Sequence, residues 1–152
     1  MSDSELTHSL INSIVPNLSF EIFHENKFKK NVRFSDYLGK WLILFFYPAD
    51  FTFICPTELQ EMAEKYDEFK KLNVEVISVS TDTAFVHKAW HDHSPAIQKV
   101  KFPMAADPTG QICKALGTYI EGEGLSYRAT FIIDPDGAIK AYEIHDNSIG
   151  RS

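Results

Sequence analysis

The chain has 152 residues, of which 44% are hydrophobic and 13% aromatic, enough apolar material for one globular domain with its own core. Its net charge is -6 and its densest basic stretch is the short Lys27-Phe28-Lys29-Lys30, so it lacks the positive surface that nucleic acid or an anionic bilayer selects. The polar start Met1-Ser2-Asp3-Ser4-Glu5 is unlike a secretory signal and the longest apolar run, Trp41 to Tyr47, is too short to span a bilayer, so the expectation is a cytoplasmic protein with no nucleic-acid or membrane partner.

Two short strands are predicted over Leu18 to Phe23 and Lys27 to Phe34, with Glu25-Asn26 as the turn between them. Trp41 to Tyr47 is continuously apolar, the pattern of a strand buried on both faces, and Pro48 ends it. Pro56 to Leu72 reads as a helix with Leu59, Met62, Ala63, Tyr66 and Phe69 along one side. Pro56 suits the first helical position, which makes Cys55 the N-cap or a residue of the first turn. Asn73 closes that helix and Val74 to Ser80 is another apolar strand.

Thr83 to His91 is predicted helical, introduced by Thr81-Asp82. A short strand is expected at Pro103 to Ala106, then a helix begun by Asp107-Pro108-Thr109 and stopped by Gly117. Tyr127 to Ile133 and Ala138 to Ile144 are predicted strands joined by the turn Asp134-Pro135-Asp136-Gly137. There is no repeat and no Pro/Gly/Ser linker. Strands alternating with helices before a closing hairpin make an α/β fold with a central mixed sheet flanked by helices, in a single domain over residues 1–152.

The two cysteines, Cys55 and Cys113, are too few for a disulfide framework, so each is read for reactivity. Cys55 lies where a buried strand runs through a loop into a helix N-terminus. Chemistry on sulfur needs the thiolate. An ordinary thiol with a pKa of about 8.5 is only about 3% ionised at pH 7, and bringing it to about 6 takes about 3.4 kcal/mol of differential stabilisation. A helix N-terminus supplies roughly 0.3–1 kcal/mol, or up to about 2 when partly buried. A nearby cation is therefore required. Arg128 is the candidate, because it opens an apolar strand where a charge needs a reason. A buried structural thiol is the plainer reading of a cysteine, but it explains neither the proline on each side nor the hydroxyl upstream in Pro48-x-x-x-Thr52-x-x-Cys55-Pro56.

That segment, Phe46-Tyr47-Pro48-x-x-Phe51-Thr52-x-x-Cys55-Pro56-Thr57-Glu58, resembles the active-site signature of the peroxiredoxins. The likeness continues through Val79 to Asp82, His87 to His91, Asp107 to Gly110, Arg128 to Asp134 and His145 to Arg151, and it points to the bacterial alkyl hydroperoxide reductase C subgroup, of the typical two-cysteine kind. The resemblance implies a thioredoxin-like fold and a thiol-dependent peroxidase that reduces hydrogen peroxide and alkyl hydroperoxides in antioxidant defence, with no cofactor and no metal. It implies that Cys55 is the peroxidatic cysteine, oxidised to a sulfenic acid. Thr52 then orients the peroxide, Pro48 shields the pocket, and Arg128 stabilises thiolate and transition state. Glu58 and Arg151 match a supporting arginine–carboxylate network. Implied partners are the hydroperoxide, an external thiol or disulfide reductase as electron donor, and a second copy in a homodimer built through the last strand, with rings of dimers.

In that subgroup the resolving cysteine follows the His145-to-Arg151 stretch. This sequence ends at Ser152, and the expectation is a truncated chain. Cys113 is expected to be a small, semi-buried helix residue. His87, His91 and His93 invite a metal reading, but no Glu intervenes and no carboxylate obviously completes the set. Glu121-Gly122-Glu123-Gly124 is read as a flexible surface loop, and Asp134 with Asp136 as turn residues. A disulfide oxidoreductase would need Cys-x-x-Cys, and Glu58 stands where the second cysteine belongs. A holdase or ring-forming scaffold, using exposed aromatics such as Phe51, would be independent of Cys55.

Overall fold

The computed structural model describes residues 9–51 and 55–148, and for Cys55 the backbone only. Its main sheet has seven strands in the order β2-β1-β5-β4-β3-β8-β9. These are β1 (Ser19–His24), β2 (Lys27–Arg33), β3 (Trp41–Phe46), β4 (Val74–Ser80), β5 (Met104–Ala106), β8 (Arg128–Ile133) and β9 (Ile139–His145). The centre, β3-β4-β5, is parallel, whereas β1, β2, β8 and β9 add antiparallel pairs at the two edges. The mixed α/β sheet expected from the sequence is thus present, in the arrangement of a thioredoxin-like fold.

Strand alternation divides the core into two layers. Leu42, Leu44 and Phe46 of β3 face a cluster that includes Ile77, Phe131, Ile112 and Leu116. Phe45 and Tyr47 face the other way, towards Leu59, Tyr66, Trp90 and Phe102. Helices α1 (Cys55–Lys71) and α2 (Ala84–His93) cover this second face, while α3 (Gln111–Leu116) covers the first. The apolar stripe read on α1 is the one that packs, with Met62, Ala63 and Phe69 joining Leu59 and Tyr66. Asn73 closes α1 at φ 62°, its N–H donating to the Lys70 carbonyl at 3.1 Å.

Several boundaries moved, each for a local reason. Thr83 caps α2 rather than joining it, its Oγ1 accepting the Val86 N–H at 3.3 Å. Gly110, at φ 75°, postpones α3 to Gln111, and the buried Asp107 carboxylate reaches across to accept the Ile112 and Cys113 N–H groups at 3.0 and 2.9 Å. Phe34–Tyr37 and Ile97–Lys99 form 3-10 turns. The glycine-rich stretch is the tip of a small hairpin, β6 (Tyr119–Ile120) with β7 (Leu125–Ser126). The turn before β9 is as read: Asp134 Oδ1 accepts from Asp136 N at 3.0 Å and Ala138 N at 2.9 Å, and Gly137 supplies φ 89°.

Candidate active site

The parallel strands β3, β4 and β5 all end on one side of the sheet, which is where α/β proteins gather functional groups. Phe46 pairs with Ala129, so the residues following β3 and the first residue of β8, Arg128, lie at this same end. Pro48 is buried there. The chain re-enters helical structure at Cys55, the first residue of α1, within the range the sequence reading left open. The helix N-terminus therefore lies at the residue whose thiolate the chemistry needs, and its partial positive charge favours an anion. Thr52, Arg151 and the Cys55 side chain lie outside the described residues.

Arg128 is 4% exposed, and its Nη1 donates to Glu58 Oε1 at 2.5 Å. Glu58 is in the first turn of α1, so this pair ties the start of the helix to the start of β8. The Arg128 Nε donates to the Asn147 carbonyl at 3.2 Å, and the Asn147 amide nitrogen donates to the Ser126 carbonyl at 3.1 Å. The segment after β9 is thereby folded back onto β7 and the guanidinium. A cation held this far from solvent acts at low effective dielectric, where its field on a neighbouring anion is strongest. Of the residues singled out from the sequence, the described ones, Pro48, Glu58 and Arg128, gather with the backbone of Cys55 at this end.

Beside it is a buried polar cluster that sequence reading missed as a unit. His87 is 0% exposed and uses both ring nitrogens, Nδ1 against Asp50 Oδ2 at 2.6 Å and Nε2 against the Ala105 carbonyl at 2.9 Å. Tyr47 donates its hydroxyl to Asp50 Oδ1 at 2.5 Å. The Asp50 N–H donates to Asp82 Oδ2 at 2.7 Å, and the Ser80 hydroxyl donates to the same oxygen at 2.7 Å. Burial drives the Asp50 carboxyl above its ordinary value, against the pull of His87. Burial drives His87 down, but its hydrogen bond to Asp50 and that residue's charge outweigh it, and the imidazole stays above its ordinary value. The carboxyl and the imidazole are thus a coupled pair, joined by a short hydrogen bond.

Ligand atoms of Asp50, Asp82 and His87 lie within 4.8 Å of one another, the spacing of a metal site. Their chemistry does not fit one. The Nε2 of His87 faces a carbonyl and must carry a proton, and its Nδ1 is bound to Asp50. His91 does not join it, since its Nε2 faces the Val100 carbonyl at 3.0 Å, and His93 is exposed. The sequence signal for this cluster was the i, i+4 histidine pair itself, which marked His87 without revealing that its partner is Asp50.

Cys113 has none of these features. It is 0% exposed within the core, its backbone N–H donates to Asp107, and burial, reinforced by Asp107, pushes its thiol up to about 12. It is a protonated core residue, more deeply buried than the semi-buried position read from the sequence.

Residues 11–142 match the model of the AhpC/TSA family. The chain belongs to the AhpC/TSA family. It is 49% identical over 143 residues to alkyl hydroperoxide reductase C of Pseudomonas aeruginosa, covering 94% of this chain and 76% of that protein. A Staphylococcus aureus protein of the same name is 49% identical over 144 residues, with 94% and 76% covered. Among solved structures, Enterococcus faecalis AhpC superposes with a TM-score of 0.92 at 49% identity, over 95% of this chain and 86% of that one. The reduced 2-Cys peroxiredoxin of Plasmodium vivax gives 0.89 at 30% identity, over 95% and 76%. This family member is a thiol-dependent peroxidase with a thioredoxin-like fold, as the resemblance implied.

Proposed function

We propose that Cys55 is the peroxidatic nucleophile and that the chain reduces hydrogen peroxide and alkyl hydroperoxides. The thiolate sulfur attacks one peroxide oxygen, the S–O bond forms as O–O breaks, and the displaced alkoxide or hydroxide takes up a proton. Cys55 is left as sulfenic acid. An external thiol condenses with it, releasing water, and a second thiol reduces the mixed disulfide. The observation that carries this reading is the buried Arg128, held by Glu58 against the first turn of the helix that Cys55 begins. A fixed cation there favours thiolate over thiol, and a fixed donor near the departing oxygen lowers the barrier without reorganisation. Thr52 orients the peroxide, Pro48 keeps bulk water out, and Arg151 supports the Arg128–Glu58 pair.

The chain acts as one domain, in the cytoplasm, and pairs with a second copy along β9. In support, β9 is an edge strand with Ile144 38% exposed, and no helix among the described residues is long and apolar enough to cross a membrane. Phe51 and Phe85 are 55% and 73% exposed, apolar area of the kind that assembly of dimers into rings would cover. No observation favours a holdase or scaffold independent of Cys55. The deciding experiment is the rate of hydrogen peroxide consumption with dithiothreitol as donor. The native chain is expected to turn over, Cys55→Ser is expected to be inactive, and equal rates for the two would end the proposal.

A further inference from the structure

Asp50 sits in the connection between β3 and α1, two residues before Thr52. An isolated buried carboxylate is expensive, and even a paired one is often outdone in stability by apolar residues of the same volume. Three groups nevertheless converge on this residue, and a fourth supports one of them. The Tyr47 hydroxyl and the His87 imidazole engage its carboxylate, and its N–H is held by Asp82, which Ser80 also engages. His87 is fixed in turn by the Ala105 carbonyl. These contacts reach the ends of β3, β4 and β5 and the body of α2, so the base of the connection is tied to every parallel strand. At the far side Glu58 is tied to Arg128. Both Thr52 and Cys55 fall between the two tethers.

We propose that Asp50 and His87 are positioning residues for the Cys55 reaction, whose buried hydrogen-bonded pair anchors the chain at Asp50, two residues before Thr52. Neither touches peroxide. They act by anchoring Asp50, the point from which the chain leads on to Thr52, against the strand ends and α2, which matters because a misplacement of about 1 Å at a reacting centre can cost about a hundredfold in rate. The proposal rests on Cys55 being the nucleophile.

The test compares two reactions of the same thiol, oxidation by hydrogen peroxide and alkylation by iodoacetamide, each as a second-order rate constant on the folded 152-residue chain. Alkylation needs the thiolate alone, whereas peroxide reduction also needs the oriented pocket. Asp50→Ala is expected to lower the peroxide constant about a hundredfold while alkylation changes only a few-fold. Asp50→Asn preserves the bonding, since its oxygen still accepts from Tyr47 and its amide donates to a neutral His87 Nδ1, and it is expected to recover most of the loss. Tyr47→Phe removes one bond without cutting the chain's packing, and gives a smaller, several-fold fall in the same ratio should Asp50→Ala fail to fold. Unchanged peroxide-to-alkylation ratios in Asp50→Ala and Tyr47→Phe would overturn the proposal. So would an Asp50→Asn as slow as Asp50→Ala. A native chain that itself reacts slowly with peroxide would instead sink the assignment of Cys55.

Discussion

Replacing Glu58 by Ala leaves the Arg128 guanidinium buried without its carboxylate. Side-chain exposures of 4% and 7% place the pair with buried ion pairs, not with surface ones. Breaking a surface pair costs about 0–1 kcal/mol, whereas removing one partner of a buried pair costs about 3–5 kcal/mol. For a chain of this size that corresponds to a fall in Tm of roughly 6–20 °C. Guanidinium unfolding of the native chain, Glu58→Ala, Arg128→Leu and the double variant measures it. The double variant removes both charges, so its loss should be smaller than the sum of the two single losses by about 1–3 kcal/mol. Losses below 1 kcal/mol for either single variant, or strict additivity, would refute the claim that this pair pins α1 to β8. The peroxide rate constant of folded Arg128→Leu is expected to fall about 10²–10³-fold.

The pH dependence of stability separates the Asp50–His87 pair from an uncharged equivalent. His87 is held above its ordinary value, so its contribution is complete below its unfolded pKa of about 6.5 and is lost as pH rises through the higher folded value. The raised Asp50 acts in the same sense. Tyr47, Asp82 and the Ala105 carbonyl surround the pair, and among the described residues Asp50 is the carboxylate in ion-pair contact with His87, with Asp82 adding its charge from further away, so the Tm advantage of the native chain over Asp50→Asn should widen as pH falls from about 8 to about 6. A constant gap would show that the two groups are not coupled. Cys113→Ala should leave the peroxide rate unchanged, and of the two cysteines only Cys55 should react quickly with a thiol reagent until denaturant exposes the second. Gly110→Ala would bring a Cβ to 2.6 Å from the Tyr119 ring at φ 75°, and unfolding should show a loss of about 1–2 kcal/mol from backbone strain alone.

What the sequence revealed followed from periodicity and punctuation. The unbroken apolar run of β3, the helical stripe from Leu59 to Phe69 and the Asp134–Gly137 turn each carry their structure within a few residues, and each is found in place. Boundaries slipped where a cap depends on a side chain's reach, as with Asp107, which bonds the start of α3 from beyond Gly110. The small β6–β7 hairpin has strands of two residues, below the length at which alternation can register. In the site, Arg128 stood out because a charge opens an apolar strand, and Glu58 because of its place in the motif. Asp50 and His87 are separated by 37 positions, and no local pattern joins them. Their pairing is a consequence of topology, since it needs the β4–α2 crossover to return His87 over the end of β3.

The central claim is that Cys55 is the sulfur that meets peroxide. It is tested most directly by adding one equivalent of hydrogen peroxide to the reduced 152-residue chain with a sulfenic-acid trap, then mapping the adduct by intact mass and peptide fragmentation. The account predicts rapid trapping on the peptide containing Cys55, none on Cys113, and no adduct in Cys55→Ser. Trap on Cys113, or no fast modification of the native chain, would contradict it.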